Sequence, residues 1–491
     1  MIVYPQEVLG LSRISHRGIC LLILIIILLP FTYFLSNTFT NSPWENYHAW
    51  RQSDTYSIAE IYSEEGIDLL NPQFYYDSSE NQTVQLELQI LPLFGLTLSN
   101  ITGLDLALAL RLVAFFFFLG SGLFIYLIGS LYLDKVSSAF SLILYFLTPL
   151  SVLLSRAIMP ESMAMFFYLG AVYFFLLWYR RGINRYSYLS AIFLSFAIIL
   201  KIPIAFFGLA VIYMFIEREK LHALRDPKFY SYGIIALLPS IVYFGYMSFK
   251  SQASFVSGIA SQHVFSDRLF DIFSLESFRS HLSILWRYFG PIVLALALGG
   301  LALVILNRRL RVEIMPWALS IFLEVLIICS IIKFDYYYIF LVPVLALLGG
   351  VLINEILRIK VKLVISLTLS LILLYNSLGL INSRLVVNED IDRISGKISQ
   401  SIDRGSSFGI NYYSPAHINA VATNGARIGL DYYEEVPKDR EEEILFWVDN
   451  GIENFSLIKS MDSSQEFAQP LDKYGIIIYE DEELIIYKVR R

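Results

Sequence analysis

Apolar runs long enough to cross a lipid bilayer as helices recur along this chain, divided by short charged segments. A spanning helix needs about 20 apolar residues, because every backbone N–H and C=O must find its partner inside the segment. Eleven such runs lie near residues 19–35, 107–130, 137–154, 162–179, 187–201, 203–216, 229–249, 284–306, 314–332, 336–354 and 362–380. The composition agrees. Of 491 residues, 56% are hydrophobic and only 16% are charged, well outside the balance of a soluble chain. The pattern predicts a polytopic α-helical membrane protein of about 11 transmembrane helices. The first run follows Arg13, His16 and Arg17, is long for a signal peptide and ends without a small-x-small cleavage site, so it reads as a retained anchor. The 187–201 and 203–216 runs are short, and only Lys201 and Pro203 divide them. A single bent helix is the plain alternative there.

Loop charge sets the expected orientation. With the N-terminus inside, the inner loops hold Lys135, the Arg180–Arg185 segment, the 218–228 segment, the Arg308–Arg311 segment and the 358–362 segment. The long outer loop 36–106 holds one basic residue, Arg51. This asymmetry predicts a multi-pass protein of the plasma membrane with a cytoplasmic N-terminus and an extracytoplasmic C-terminal domain. A net charge of −6 gives no reason to expect a nucleic-acid partner. Cys20 and Cys329 fall inside apolar runs and read as buried free thiols, and the six histidines form no zinc-type spacing.

Two regions divide the chain: a membrane domain, 1–381, with outer loops at 36–106 and 250–283, and a soluble region, 382–491. The soluble region carries short β-like runs at Phe446–Val448, Ile476–Tyr479 and Leu484–Val489, and reads as an α/β domain. Asn81-Gln-Thr83 is a glycosylation sequon on the expected outer side.

The polar residues with chemical potential gather on that outer side. In His48-Ala-Trp50-Arg51-Gln-Ser-Asp54, Arg51 and Asp54 are spaced to share a helix face. A surface ion pair is the plain reading. A carboxylate beside arginine also stays ionised and can act as a general base. Glu87 opens an apolar stretch, where a carboxylate asks for a cation. Arg156, Pro160 and Glu161 lie in the turn before the fourth run. Pro and Glu there suit a helix start, whereas Arg156 closes a long apolar run. Lys201 has no acid near it in sequence, and Lys333-Phe-Asp335-Tyr336-Tyr337-Tyr338 precedes the tenth run. Snorkelling and an interfacial tyrosine belt are the plain readings. Placed on one face, three acids and three bases would suffice for an active site: acids as base or metal ligands, bases for a phosphate leaving group.

Four stretches carry a family resemblance: Trp50-Arg-Gln-Ser-Asp54-Thr55, Glu87-Leu-Gln-Ile, Ser155-Arg-Ala-Ile-Met-Pro-Glu161, and Lys333-Phe-Asp-Tyr-Tyr-Tyr followed by Pro343. In order, spacing and sidedness the chain resembles the GT-C superfamily of polyprenyl-phosphate-sugar-dependent glycosyltransferases. The nearest branch is the bacterial enzymes related to protein O-mannosyltransferases and lipid A aminoarabinose transferases. The resemblance covers roughly residues 20–355. It implies Asp54 as catalytic base and Lys201 as a cation for the lipid phosphate. The candidate substrate contacts are His48, Trp50, Arg51, Arg156, Lys333, Tyr336 and Tyr337. Metal use varies across the superfamily, and Glu87 and Glu161 are the candidate ligands for a divalent ion. Gln89 stands where proline is common in the family, Leu88 where some members have lysine, and Glu161 where others have aspartate.

The expected function is transfer of a hexose or pentose, with inversion, from a polyprenyl-phosphate donor to a hydroxyl of a glycan, lipid or protein acceptor in the cell envelope. A transporter or flippase of a lipid-linked saccharide is the first rival, but its charges belong near the midplane, often in inverted repeats. A non-catalytic assembly protein is the second.

Overall fold

The computed structural model describes residues 25, 27–33, 35–40, 47–74, 82–251, 267–356, 359–385, 389–403, 405–411, 427–430 and 436–490. Cys20, Asn81, residues 19–24, 26 and 34 of the first run and residues 252–266 of the second loop lie outside them. The first long loop contains helix α1 (Ala49–Glu65), a small antiparallel pair of β1 (Gln73–Phe74) and β2 (Gln82–Thr83), and an apolar helix α2 (Ile90–Thr102). Helix α3 (Leu106–Gly129) starts at Asp105, whose carboxylate accepts from the N–H groups of Ala107 and Leu108, a standard N-cap.

Proline decides where several of the expected runs break. The run at 137–154 divides into α4 (Lys135–Leu147) and α5 (Pro149–Leu154), with Thr148 extended between them. Pro149 has no N–H to give and disfavours helix in the residue before it. The stretch 161–219 forms α6 (Glu161–Arg181), α7 (Asn184–Leu200) and α8 (Phe207–Glu219). Between the last two, Lys201 is extended and a 3-10 turn covers Ile202–Phe206. Lys201 Nζ lies 2.6 Å from Glu161 at the start of α6. Arg218, near the end of α8, donates to the carbonyls of Trp178 and Tyr179 near the other end of α6. So α7 and α8 each run the length of α6, and the stretch is two traverses, not one bent helix.

The remaining long helices are α9 (Pro227–Lys250), α10 (Leu275–Leu306), α11 (Arg308–Ile332), α12 (Val342–Ile356) and α13 (Ile359–Arg384). Helix α10 breaks at Gly290, where φ is 75° and ψ 160°, ahead of Pro291. Among the described residues, seven helical stretches are long and apolar enough to cross a membrane: Leu106–Gly129, Glu161–Arg181, Pro227–Lys250, Leu275–Leu306, Arg308–Ile332, Asp335–Glu355 and Val361–Arg384. Helices α2, α4 and α7 are apolar but shorter. Glycine allows close packing in this bundle. A Cβ on Gly300 of α10 would stand 1.9 Å from the Leu348 carbonyl oxygen of α12, the backbone-to-backbone approach that small residues permit.

The end of the bundle away from Lys201 is clasped by charge. Arg180 Nε lies 2.6 Å from Glu313 Oε2, the Tyr132 hydroxyl donates to the same oxygen at 3.1 Å, and the guanidinium sits 4.2 Å from the Tyr132 ring. The Glu313 side chain is only 8% exposed. Removing one partner of a buried pair leaves the other uncompensated. Glu313→Ala is therefore expected to destabilise the protein by about 3 kcal/mol or more, read as a lowered Tm in detergent, while Glu217→Ala at an exposed pair (Lys220, 3.3 Å) leaves Tm nearly unchanged.

The C-terminal region holds a five-stranded sheet in the order β4-β3-β5-β7-β6: β3 (Phe408–Ile410), β4 (Arg427–Gly429), β5 (Asn454–Ile458), β6 (Gly475–Glu480) and β7 (Leu484–Val489). The pairs β3–β4 and β3–β5 are parallel, and β5–β7 and β6–β7 are antiparallel. Side chains alternate across the sheet as strand geometry requires. Phe408, Ile410, Leu484 and Ile486 pack with Ile394 and Ile398 of α14 (Glu389–Ser401) on one face. Phe455, Leu457, Ile485 and Tyr487 pack on the other face with α15 (Arg440–Asp449) and α16 (Ser464–Tyr474). The expected strand at Phe446–Val448 is instead the last turn of α15. Asp439 caps that helix and Glu441, Glu442 and Glu443 fill its first turn, a start signal that outweighs three apolar residues. Tyr56 of α1 packs against both the helical bundle and the α14 face of the sheet.

Candidate active site

Helix α1 buries its polar residues. Gln52, Ser53, Asp54, Thr55 and Ser57 are all within the protein, so each needs a polar environment. Gln52 shows how that environment is built. Its Nε2 donates to the Tyr47 carbonyl at 2.7 Å, and its Oε1 accepts from the Ile158 N–H at 3.0 Å and from Arg111 at 3.3 Å. Arg111, fully buried in α3, also reaches the Arg156 carbonyl at 3.5 Å. These bonds fix α1 against the turn that leads into α6. Asp54 faces inward, 7% exposed, two residues beyond Gln52.

Arg51 pairs with Glu87, both side chains largely buried. The strand-like segment that carries Glu87 is pinned to the end of α7, because Leu88 N–H donates to the Ile199 carbonyl at 3.3 Å. Gln89 folds its amide back onto the Glu87 carbonyl at 2.6 Å, so a side-chain bond closes the turn here. Two residues past Ile199, the extended backbone at Lys201 turns its ammonium inward. There it meets Glu161 at 2.6 Å and lies 4.9 Å and 5.5 Å from the rings of Tyr336 and Tyr337. Glu161 and Lys201 are 1% and 7% exposed. Burial alone would lower the Arg51 guanidinium, but the carboxylates of Glu87, Glu161 and Asp54 outweigh it and hold Arg51 above its ordinary value. Arg51–Glu87 and Lys201–Glu161 are the ion pairs here, and Asp54 lies one turn beyond Arg51 on α1.

The structure thus brings together Arg51, Asp54, Glu87, Glu161, Lys201, Tyr336 and Tyr337. Arg156 is buried at the same end, 5.6 Å from the Phe39 ring. Trp50 is the second residue of α1 and is half-buried. His48 caps α1 and lies against Asp335. Lys333 stands apart from the buried pairs, exposed and 3.2 Å from Glu276. Sequence reasoning missed Gln52, Arg111 and Asp335 as site-builders. An arginine inside the 107–130 run and an acid inside Lys333-Phe-Asp335 were the available signals.

Glu87 and Glu161, expected as metal ligands, each already face a side-chain cation, which a divalent ion would have to displace. Among the described residues, no three His, Cys, Asp or Glu side chains converge as a ligand set. The donor set as it stands does not fit a resident metal ion.

The comparisons with known proteins follow this geometry. Residues 92–244 match the model of the dolichyl-phosphate-mannose-protein mannosyltransferase family. ArnT from Cupriavidus metallidurans, solved bound to undecaprenyl phosphate, superposes with a TM-score of 0.68 at 12% identity, covering 96% of this chain and 98% of that one. The chain has the GT-C fold. The Archaeoglobus fulgidus oligosaccharyltransferase, solved with zinc and sulfate, shares this GT-C fold at TM-score 0.58 and 14% identity, over 96% of this chain and 72% of that one. AglB from the same organism, in complex with an inhibitory peptide and a dolichol-phosphate, gives TM-score 0.56 at 12% identity, over 97% and 74%. No curated protein matches the chain in sequence. At these identities the GT-C likeness is one of architecture, and it spans the C-terminal sheet as well as the bundle.

Proposed function

We propose that this protein is a membrane glycosyltransferase that moves a sugar, a hexose or pentose, from a polyprenyl-phosphate donor to an acceptor hydroxyl, with inversion at the anomeric carbon. The observation that carries this reading is the buried Lys201–Glu161 pair under Tyr336 and Tyr337, beside Arg51–Glu87 and Asp54. A lipid phosphate needs buried cations, and an attacking hydroxyl needs a carboxylate that stays ionised. Two solved relatives of the same fold hold a polyprenyl phosphate, which supports that donor class here.

The reaction is a single displacement. Asp54 takes the proton of the acceptor hydroxyl as its oxygen forms a bond to the anomeric carbon. On the opposite side the bond from that carbon to the phosphate oxygen breaks, and the electron pair leaves with the polyprenyl phosphate. Lys201 stabilises the charge that develops there, with Arg51 next in reach. Trp50, Tyr336 and Tyr337 offer aromatic faces to the sugar, and Arg156 and Lys333 are further cations for the lipid headgroup. None of these steps draws on a metal. The excess of Lys and Arg at the far end of the bundle (Arg180, Arg181, Arg218, Arg308 and Arg309) supports a site on the extracytoplasmic side of the plasma membrane, with the C-terminal sheet on that side. The acceptor is a glycan, lipid or protein of the envelope.

Membranes of cells lacking the gene test this reading. They are expected to accumulate a polyprenyl-phosphate-linked sugar, cleared by the wild-type gene and not by one encoding Asp54→Asn. An unchanged lipid-linked pool, or clearance by the Asp54→Asn gene, would sink the assignment.

A further inference from the structure

Two halves of the site come from distant parts of the chain. Helix α1 brings Asp54 and Arg51. The Tyr336–Tyr337 segment covers Lys201. One cluster joins them directly. His48 Nε2 lies 2.5 Å from Asp335 Oδ1, and the Tyr47 hydroxyl donates to the same oxygen at 3.3 Å. Since the partner is a carboxylate, Nε2 is the ring nitrogen that carries the proton. The His48 ring also meets the Tyr336 ring edge-on, centroids 5.0 Å apart, and packs on the Tyr47 ring at 4.4 Å. Tyr336 in turn lies 4.9 Å from Lys201 Nζ. An unbroken line of contacts therefore runs from the first turn of α1, through His48, Asp335 and Tyr336, to the buried lysine.

The backbone at His48 bears on its role. It holds φ 48° and ψ 40° at the N-cap of α1, a left-handed conformation uncommon outside glycine, though asparagine, aspartate and histidine adopt it more often than other residues. Such a residue persists where its surroundings over-determine it, and here the fixing contact is Asp335. His48 also makes no side-chain cap bond to α1. Its ring faces Asp335 and Tyr336.

We propose that Asp335 and His48 are positioning residues that set the distance between the base-bearing helix and the pocket that covers Lys201. The proposal rests on Asp54 as base and Lys201 as phosphate cation. In a single displacement those two groups act on opposite sides of one carbon, so a shift of about 1 Å between them is felt in the chemical step. Asp335 and His48 act through α1 and Tyr336, without touching the reacting atoms.

The experiment uses the full-length protein in lipid nanodiscs, with a polyprenyl-phosphate sugar as donor. Asp335→Asn and His48→Ala are each expected to lower kcat by about 10- to 100-fold with the KM for donor changed by less than about twofold. His48→Asn tolerates the left-handed backbone and keeps an N–H donor for Asp335, and is expected to regain most of the lost rate. The double variant Asp335→Asn with His48→Ala should be no slower than either single one, because the two act as one unit. The acid limb of the kcat/KM profile should stay where the wild type has it. Full activity in Asp335→Asn, additive losses, or a displaced acid limb would each overturn the proposal, the last by making the pair itself the base. Asp54→Asn is assayed alongside. If that variant is inactive while Asp335→Asn is fully active, only the positioning role fails. If Asp54→Asn remains active, both readings fail.

Discussion

Asp54→Asn is expected to lower kcat by about 10²- to 10⁴-fold while the protein folds normally and still binds its lipid donor. Asparagine is nearly isosteric with aspartate, so packing in the polar interior of α1 is kept. What it loses is the ability to accept a proton. Arg51, one helical turn away, keeps Glu87 as its ion-pair partner, so that guanidinium is not stranded by the substitution. Because the loss falls on the proton-transfer step, donor KM should move little, and a thermal melt should match the wild type within about 1 kcal/mol, the ordinary spread for a mild substitution. Measured turnover with a labelled donor, beside a melting curve, separates this outcome from misfolding. Activity within threefold of wild type would remove Asp54 from the mechanism.

Lys201→Ala should strike stability and catalysis together. Glu161 is 1% exposed and Lys201 is its ion-pair partner at 2.6 Å. Without the ammonium, a buried carboxylate stands uncompensated, which costs about 3–5 kcal/mol. In the proposed reaction the leaving phosphate also loses a cation, worth about 10²- to 10³-fold in kcat. The two losses can be told apart by a second substitution. Lys201→Met combined with Glu161→Gln removes both charges and keeps the volume, so the melting temperature should largely recover while the rate does not. Recovery of both would mean that the pair is a structural bridge with no part in phosphate departure.

Much of the helical frame was legible in the sequence, and particular residues show why. The apolar runs at 107–130, 229–249 and 314–332 correspond to α3, α9 and α11 because hydrocarbon leaves the backbone few alternatives. The traverse at Lys201 was readable from loop charge, and the Glu161–Lys201 and Trp178–Arg218 contacts agree with it. Helix α1 was harder. It buries Gln52, Ser53 and Asp54, so it lacks the amphipathic stripe that marks a helix in sequence. Helix α2 lay inside what reads as a loop, since 13 residues are too few to span. The pairing of acids with bases was beyond reach as well. Arg51 with Glu87, Lys201 with Glu161 and His48 with Asp335 are joined by tertiary structure, and no spacing along the chain foretells such partners. The same holds for Phe446–Val448, where a capped acidic start overrode a β-like run.

The buried cations of this site come with carboxylates already attached. Arg51 has Glu87 and Lys201 has Glu161, so each of these two cations is already matched by a carboxylate. A bare pair of cations in a dry cavity would grip a phosphate monoester tightly and release it slowly. Here the protein carries its own competitors. In the proposed reaction the spent lipid phosphate would contend with Glu161 for the lysine once the sugar has moved on. Under that reaction, turnover would depend on letting go as well as on bond breaking, and the acidic neighbour that weakens donor capture would be the same one that clears the site for the next round.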